Sequence, residues 1–231
     1  MSLILSGTDG LSDVDGTAAT PAIRGTDANT GIFFGTDIIG FSEGGVEAMR
    51  INASGNVVMA GTLTTSAGGI AKASLPAGSV LQVVQASTSS SFDSTSTTYA
   101  DSNLTASITP TSATSKILVL VNQHILSVGG AAVGYGFQTN AGVKLVRGAT
   151  DLVTPSSDGG GKGSIFLGTG IAPASGSIVI AGYVSFTYLD SPATTSSTTY
   201  KTQVALGTSG MGHAYANSSN PSFITLMEIA A

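Results

Sequence analysis

The chain has 231 residues, 42% hydrophobic and only 9% charged, with 31 glycines, no cysteine and a formal net charge of -5. The apolar share is enough for a core and excludes a disordered chain, while the charged share lies far below the usual quarter. The acidic balance argues against nucleic acid, which needs basic stripes, and the lack of cysteine removes disulfides and thiolate metal sites.

So few charges leave two ways to finish a surface: Ser, Thr and Asn side chains on strand faces, or burial between chains. Both are expected here. The glycines follow no Gly-X-Y period and punctuate short apolar runs, as turns between strands do. The apolar patch after Met1 has no basic flank and ends at Gly7-Thr8-Asp9, so no signal peptide is read there. No run is long enough to insert in a membrane.

Residues 1–67 read as turns and very short strands. Gly-Thr-Asp occurs at Gly7, Gly25 and Gly35, which suggests one turn type used three times, with Gly at positive φ and Asp bonding its own backbone. Val46 to Ile51, a loop 52–56 and Val57 to Met59 read as a β-hairpin. Strands this short are marginal alone. Without a helix to cover them, the expected remedy is other copies of the same chain. Residues 68–78, with Gly68-Gly69 and Pro76, read as a linker.

Residues 79–231 read as one β-sandwich of jelly-roll type. Candidate strands are 80–86, 104–109, 116–126, 133–139, 143–147, 164–167, 177–189 with a break at Gly182, 198–206 and 223–229. The run from Lys116 to Leu126 is the longest nearly unbroken apolar stretch, interrupted only by Asn122, Gln123 and His124. It reads as a central strand buried on both faces. Residues 87–99, dense in Ser and Thr, read as a polar loop with a turn at Phe92-Asp93, leading into an edge strand.

Chemistry-bearing constellations are weak. Gly40-Phe41-Ser42-Glu43-Gly44 has the letters of a nucleophile elbow, but the helix that must follow it is missing, so a hairpin turn is the better reading. The run from Asp158 to Gly163 lacks the Ser or Thr that follows Lys in a phosphate loop, and Lys162 sits in a flexible loop instead. Asp13-Val14-Asp15-Gly16 lacks the later oxygens of a calcium loop. No carboxylate pair suggests glycosidase chemistry. The expectation is therefore a protein with no catalytic residues, no cofactor and no metal of its own. His124 reads as a core or interface residue, and three copies on a threefold axis could hold a metal or anion. His213, Tyr215 and Asn217 place an imidazole, a phenol and an amide in one loop and make a candidate glycan contact. Tyr135, between two glycines, is similar. Asp158 and Lys162 join them as receptor-binding candidates.

The chain resembles the small fibre and appendage proteins of tailed bacteriophages, particularly those of marine and cyanobacterial hosts. Residues 21–34, 39–42 and 47–57 look like the N-terminal and shaft segments of such fibres. Residues 78–85, 98–101, 106–110, 115–119, 189–200 and 224–229 look like a C-terminal β-domain of phage structural proteins. The resemblance implies an intertwined homotrimer located on the virion. Its N-terminal region would dock on other virion proteins, and its C-terminal head would meet a host-surface glycan or protein. A head decoration, head fibre or baseplate component without receptor binding is the alternative. The shaft-like region is very short, and no long repetitive rod follows it.

Overall fold

The computed structural model describes residues 15–61, 70, 72, 75–129, 131–132, 136–137, 141–155, 178–210 and 212–231. These contain strands and turns and no α-helix. The chain divides into two compact units, 1–70 and 71–231.

Among its described residues, the first unit forms one antiparallel sheet of β1 (Ile23–Arg24), β2 (Gly31–Gly35), β3 (Ile38–Glu43), β4 (Val46–Ile51) and β5 (Val57–Met59), paired in sequence order. The expected hairpin is β4–β5, closed where Asn52 Oδ1 accepts from the backbone N–H of Ser54 and of Asn56, both at 3.0 Å. The Gly-Thr-Asp triplets do not share one turn. At the second, Asp27 accepts from the Asn29 N–H and the Thr30 hydroxyl. At the third, Asp37 and not Gly35 takes the positive φ, 58°, in a two-residue hairpin. The first lies outside the described residues. Gly40 lies under the ring of Phe33, where a β-carbon would collide with the ring.

The second unit is a jelly roll. Its strands are β6 (Val80–Thr88), β7 (Phe92–Ser94), β8 (Ala100–Ile108), β9 (Lys116–Gly129), β10 (Ala131–Ala132), β11 (Gly136–Phe137), β12 (Ala141–Arg147), β13 (Thr150–Val153), β14 (Ile178–Asp190), β15 (Thr198–Leu206), β16 (His213–Ala216) and β17 (Ser222–Ile229). One sheet runs β13-β12-β15-β8. The other runs β6-β17-β9, with β14 on the second edge of β9. Every pairing is antiparallel. These eight strands in two sheets give the alternating connectivity of a jelly roll. β8 is an edge strand, as expected.

β9 is central, but apart from His124 beneath the 217–222 segment it is fully buried on one face only. Ile117, Val119, Val121 and Ile125 point between the sheets and are 0–2% exposed, whereas Leu118 and Leu120 are half-buried and Asn122 is exposed. The reason is strand alternation: a long apolar run can serve one interior face and one partly covered outer face. β14 is continuous through Gly182, because every residue from Ile178 to Asp190 pairs with β9 and leaves no break.

Two strands arise where loops were expected. β7 occupies the expected turn at Phe92-Asp93, and β16 occupies much of the expected loop before Asn217. Both are too short to show a period, and they are held by pairing with each other and with β9. Gly212, at φ +107°, lies against the carbonyl of Val128, so no side chain fits where β16 meets β9.

β16 and β17 share one edge of β9 end to end. His213 to Ala216 pair with Val128 to Ile125, and Phe223 resumes opposite Asn122. Residues 217–222 therefore stand opposite only Gln123 and His124, a wide bulge pinned at both ends. The Asn217 N–H donates to the His124 carbonyl at 3.0 Å, and the His124 N–H donates to Ser222 Oγ at 2.9 Å.

The interior forms two apolar clusters. One gathers Leu104, Ile108, Ile117, Val119, Leu145, Tyr200 and Leu226; the other Ile125, Val143, Val204, Leu206 and Ala214. Between them lies a polar layer of Ser102, Gln123, Thr202 and Asn217, all fully buried. Gln123 Nε2 donates to Ser102 Oγ at 2.8 Å and to Asn217 Oδ1 at 3.4 Å.

Candidate receptor-contact surface

Of the candidate contact residues, Tyr135, Asp158 and Lys162 lie outside the described residues. His213 and Tyr215 are brought together. Two apart on β16, they stack with ring centroids 5.5 Å apart and planes 8° from parallel. Asp93, opposite Tyr215 on β7, accepts from or pairs with His213 Nδ1 at 2.9 Å and fixes the imidazole. The side chains of His213 and Asp93 are 42% and 48% exposed. Two parallel rings and a carboxylate thus stand side by side at the β7 edge of the sheet. Rings offer apolar faces with polar tips, and a carboxylate accepts hydroxyl hydrogen bonds.

Asn217 is not part of this surface. It is fully buried, and its Nδ2 donates to the carbonyls of Ser90 and Ser102. The end of β16 explains this: alternation would put position 217 on the outward face of Tyr215, but the chain leaves the strand after Ala216 at positive φ, 58°, and turns the amide inward. Asp93 was missed by sequence reasoning because its partner is 120 residues away.

His124 is 5% exposed and sits beneath the bulge. Its Nε2 lies 3.3 Å from Asn220 Nδ2, and its ring meets Tyr183 edge-on at 5.3 Å. Burial pushes its pKa below the ordinary imidazole value, and a backbone contact at Ser218 offsets part of that. The ring is covered by its own chain, so it does not present the open face that a shared ion on an axis would need. Ser42 is 5% exposed, its hydroxyl reaches the Gly31 carbonyl at 3.4 Å, and the turn after it leads into β4. No helix follows to aim it. Among the described residues, no three His, Cys, Asp or Glu side chains group closely enough to hold a metal.

Other buried ionisable groups hold the fold. Asp190 accepts both bonds from Arg147 Nη1, at 2.7 and 2.8 Å, and one from the Tyr200 hydroxyl at 2.7 Å. Burial first, then Asp190, push the Tyr200 pKa far up.

The outer faces of the two sheets differ in chemistry. The four-stranded sheet carries the ion pairs Lys201–Asp101 at 2.7 Å and Lys144–Asp151 at 2.9 Å, together with the bonded hydroxyls of Ser107 and Thr199. The sheet built on β9 exposes Val80, Val83, Val179, Tyr183, Leu189 and Phe223. At its centre is a shallow groove of about 480 Å³ lined by Gln85, Leu120, Asn122, Ser185, Thr187 and Phe223.

No protein-family model matches the chain, and no curated protein matches it in sequence.

Proposed function

We propose that the chain is a structural subunit of a tailed-phage particle. In this reading it is a homotrimeric fibre or spike whose first unit joins it to the particle and whose jelly roll meets the host surface. The observation that carries the reading is the half-buried, outward-facing His213–Tyr215 stack with the exposed Asp93 beside it, on a β-sandwich. Binding residues placed on such scaffolds are well positioned for recognition. The β-sheet of the first unit and the resemblance of both parts to phage fibre segments support the same division of labour. The chain acts by binding, without catalysis, and the particle surface is its place.

The test is binding of the purified full chain to a panel of bacterial cells, cyanobacteria included, and its competition with phage infection. Saturable binding that blocks infection supports the reading; absence of binding across hosts that the phage infects removes the receptor role.

A second reading has one observation in its favour. The apolar outer face of the sheet built on β9 suits packing against other virion proteins. The chain would then be a head decoration, head fibre or baseplate part without a receptor. Copy number per particle separates the two, because decoration is abundant and tail fibres are few.

A further inference from the structure

The five-stranded sheet of the first unit has two unlike faces. Registers place Ile23, Ile32, Phe41, Met49 and Met59 in one row across all five strands. Phe34, Ile39, Ile51 and Val57 form a second row on the same face. All nine are large and apolar. The opposite face carries Phe33 over Gly40, with Arg50 and the 3.3 Å Arg50–Glu47 ion pair beside them. An antiparallel sheet with one solvated face normally packs its apolar face on a core. Among the described residues of the unit, nothing buries it. Ile23, Ile39, Ile51, Val57 and Met59 are each 36% exposed or more, and Phe33 is the unit's one large apolar side chain in the buried core among the described residues.

We infer that this face is buried against the same face of two further copies of the chain, so that three sheets enclose one shared core. The number three rests on the trimeric reading above; the face itself does not. At about 4.8 Å between strands and about 3.4 Å per residue, the face spans roughly 450 Å² per chain. Three such faces give roughly 1,350 Å² in one shared core, or about 450 Å² for each pair of chains, a small contact that acts together with the rest of the chain. Its chemistry suits the chain's own copies. The charged residues of this unit among those described stand in turns, at strand ends or on the other face, so like faces meet without repulsion. Transient partners are recognised through mixed polar and apolar patches, whereas permanent homomeric interfaces resemble a core cut in half. A sheet that buries so little alone folds with its assembly.

The chain contains no cysteine, so single-cysteine variants report proximity cleanly. We would measure the native mass of the full chain by light scattering. The variants Ile39→Cys and Met49→Cys would then be treated with a short bismaleimide, with Val58→Cys on the opposite face as control. The expected result is three times the 22.8 kDa chain mass, with most of the Ile39→Cys and Met49→Cys chains cross-linked in pairs and the control left single. A native mass of one or two chains overturns the inference and leaves the face to another virion protein. So does a three-chain mass in which the face positions cross-link no better than Val58→Cys. Failure of the full chain to bind cells would sink the receptor reading and leave the cross-linking result unchanged.

Discussion

Glu228 accepts two hydrogen bonds from Thr111, one from its N–H and one from its hydroxyl, both at 2.7 Å. Gln82 Nε2 donates a third at 2.6 Å, and the carboxylate is fully buried. The contact ties the last strand to the turn between β8 and β9. Burial pushes the Glu228 pKa up, but donors led by Thr111 outweigh it, and the carboxyl is held below its ordinary range. Its folded pKa is thus lower than its unfolded one. The stabilisation is therefore present above the unfolded value and lost as pH falls through the folded value. Glu228→Gln should cost about 2 kcal/mol at neutral pH, read as a lower denaturant midpoint. It should also flatten the loss of stability below about pH 4.5. An unchanged midpoint and an unchanged acid limb would contradict this.

The polar layer between the two apolar clusters predicts strong coupling. Gln123 spends its Nε2 on Ser102 and Asn217, and Asn217 spends its Nδ2 on two carbonyls. Removing one member strands the others in a dry interior. Asn217→Ala should lower stability by about 3 kcal/mol. The double variant Gln123→Leu with Asn217→Leu should cost less than the two single Leu variants added together. A double-mutant cycle by chemical unfolding measures this, and strict additivity would show that the layer does not act as a unit.

The same layer shows what the sequence makes legible and what it hides. Alternation exposes the strands: Tyr200, Thr202, Val204 and Leu206 share a face by spacing alone, and all four are fully buried. The polar triplet at 122–124 is visible as an interruption of an apolar run, but its meaning is not. Asn122 faces out and accepts from the Ser185 hydroxyl, Gln123 faces in, and His124 lies under the bulge. Their partners come from residues 63 to 98 positions further along, or from Ser102, 21 positions before Gln123. Short strands such as β7 and β16 carry too few residues to show a period. Asn217 reads as a surface amide because its inward turn depends on that long-range pairing. The apolar face of the first unit was readable only as scattered Ile, Phe and Met residues, since register, not spacing, collects them on one side.

His124 gives the chain an acid sensitivity near neutrality. Its pKa is lowered by burial, so the folded state holds its proton less tightly than the unfolded chain does. Stability from the neutral ring is full above the ordinary imidazole value and declines as pH falls from there toward the folded value. The thermal midpoint should drop between about pH 7 and pH 5, and His124→Gln should remove most of that slope. A slope that persists in the variant would assign it to other groups.

The receptor contact predicts a separation of binding from stability. His213 and Tyr215 are half-buried on the outer side of β16, and their rings stack on each other outside the two apolar clusters. Surface substitutions away from caps and cores shift stability by about 0.5 kcal/mol or less. His213→Ala and Tyr215→Ala should therefore leave the unfolding midpoint nearly unchanged while lowering the affinity of the full chain for cells by about tenfold each, the size of one lost aromatic contact. Asp93→Asn should weaken binding less, since it loosens the imidazole without removing a ring. Asn217→Ala should behave in the opposite way, lowering the midpoint with little change in affinity once the folded fraction is counted. If the two ring variants bind as the parent does, recognition lies elsewhere on the jelly roll. If they instead lower the midpoint, the stack is part of the fold and not a contact surface.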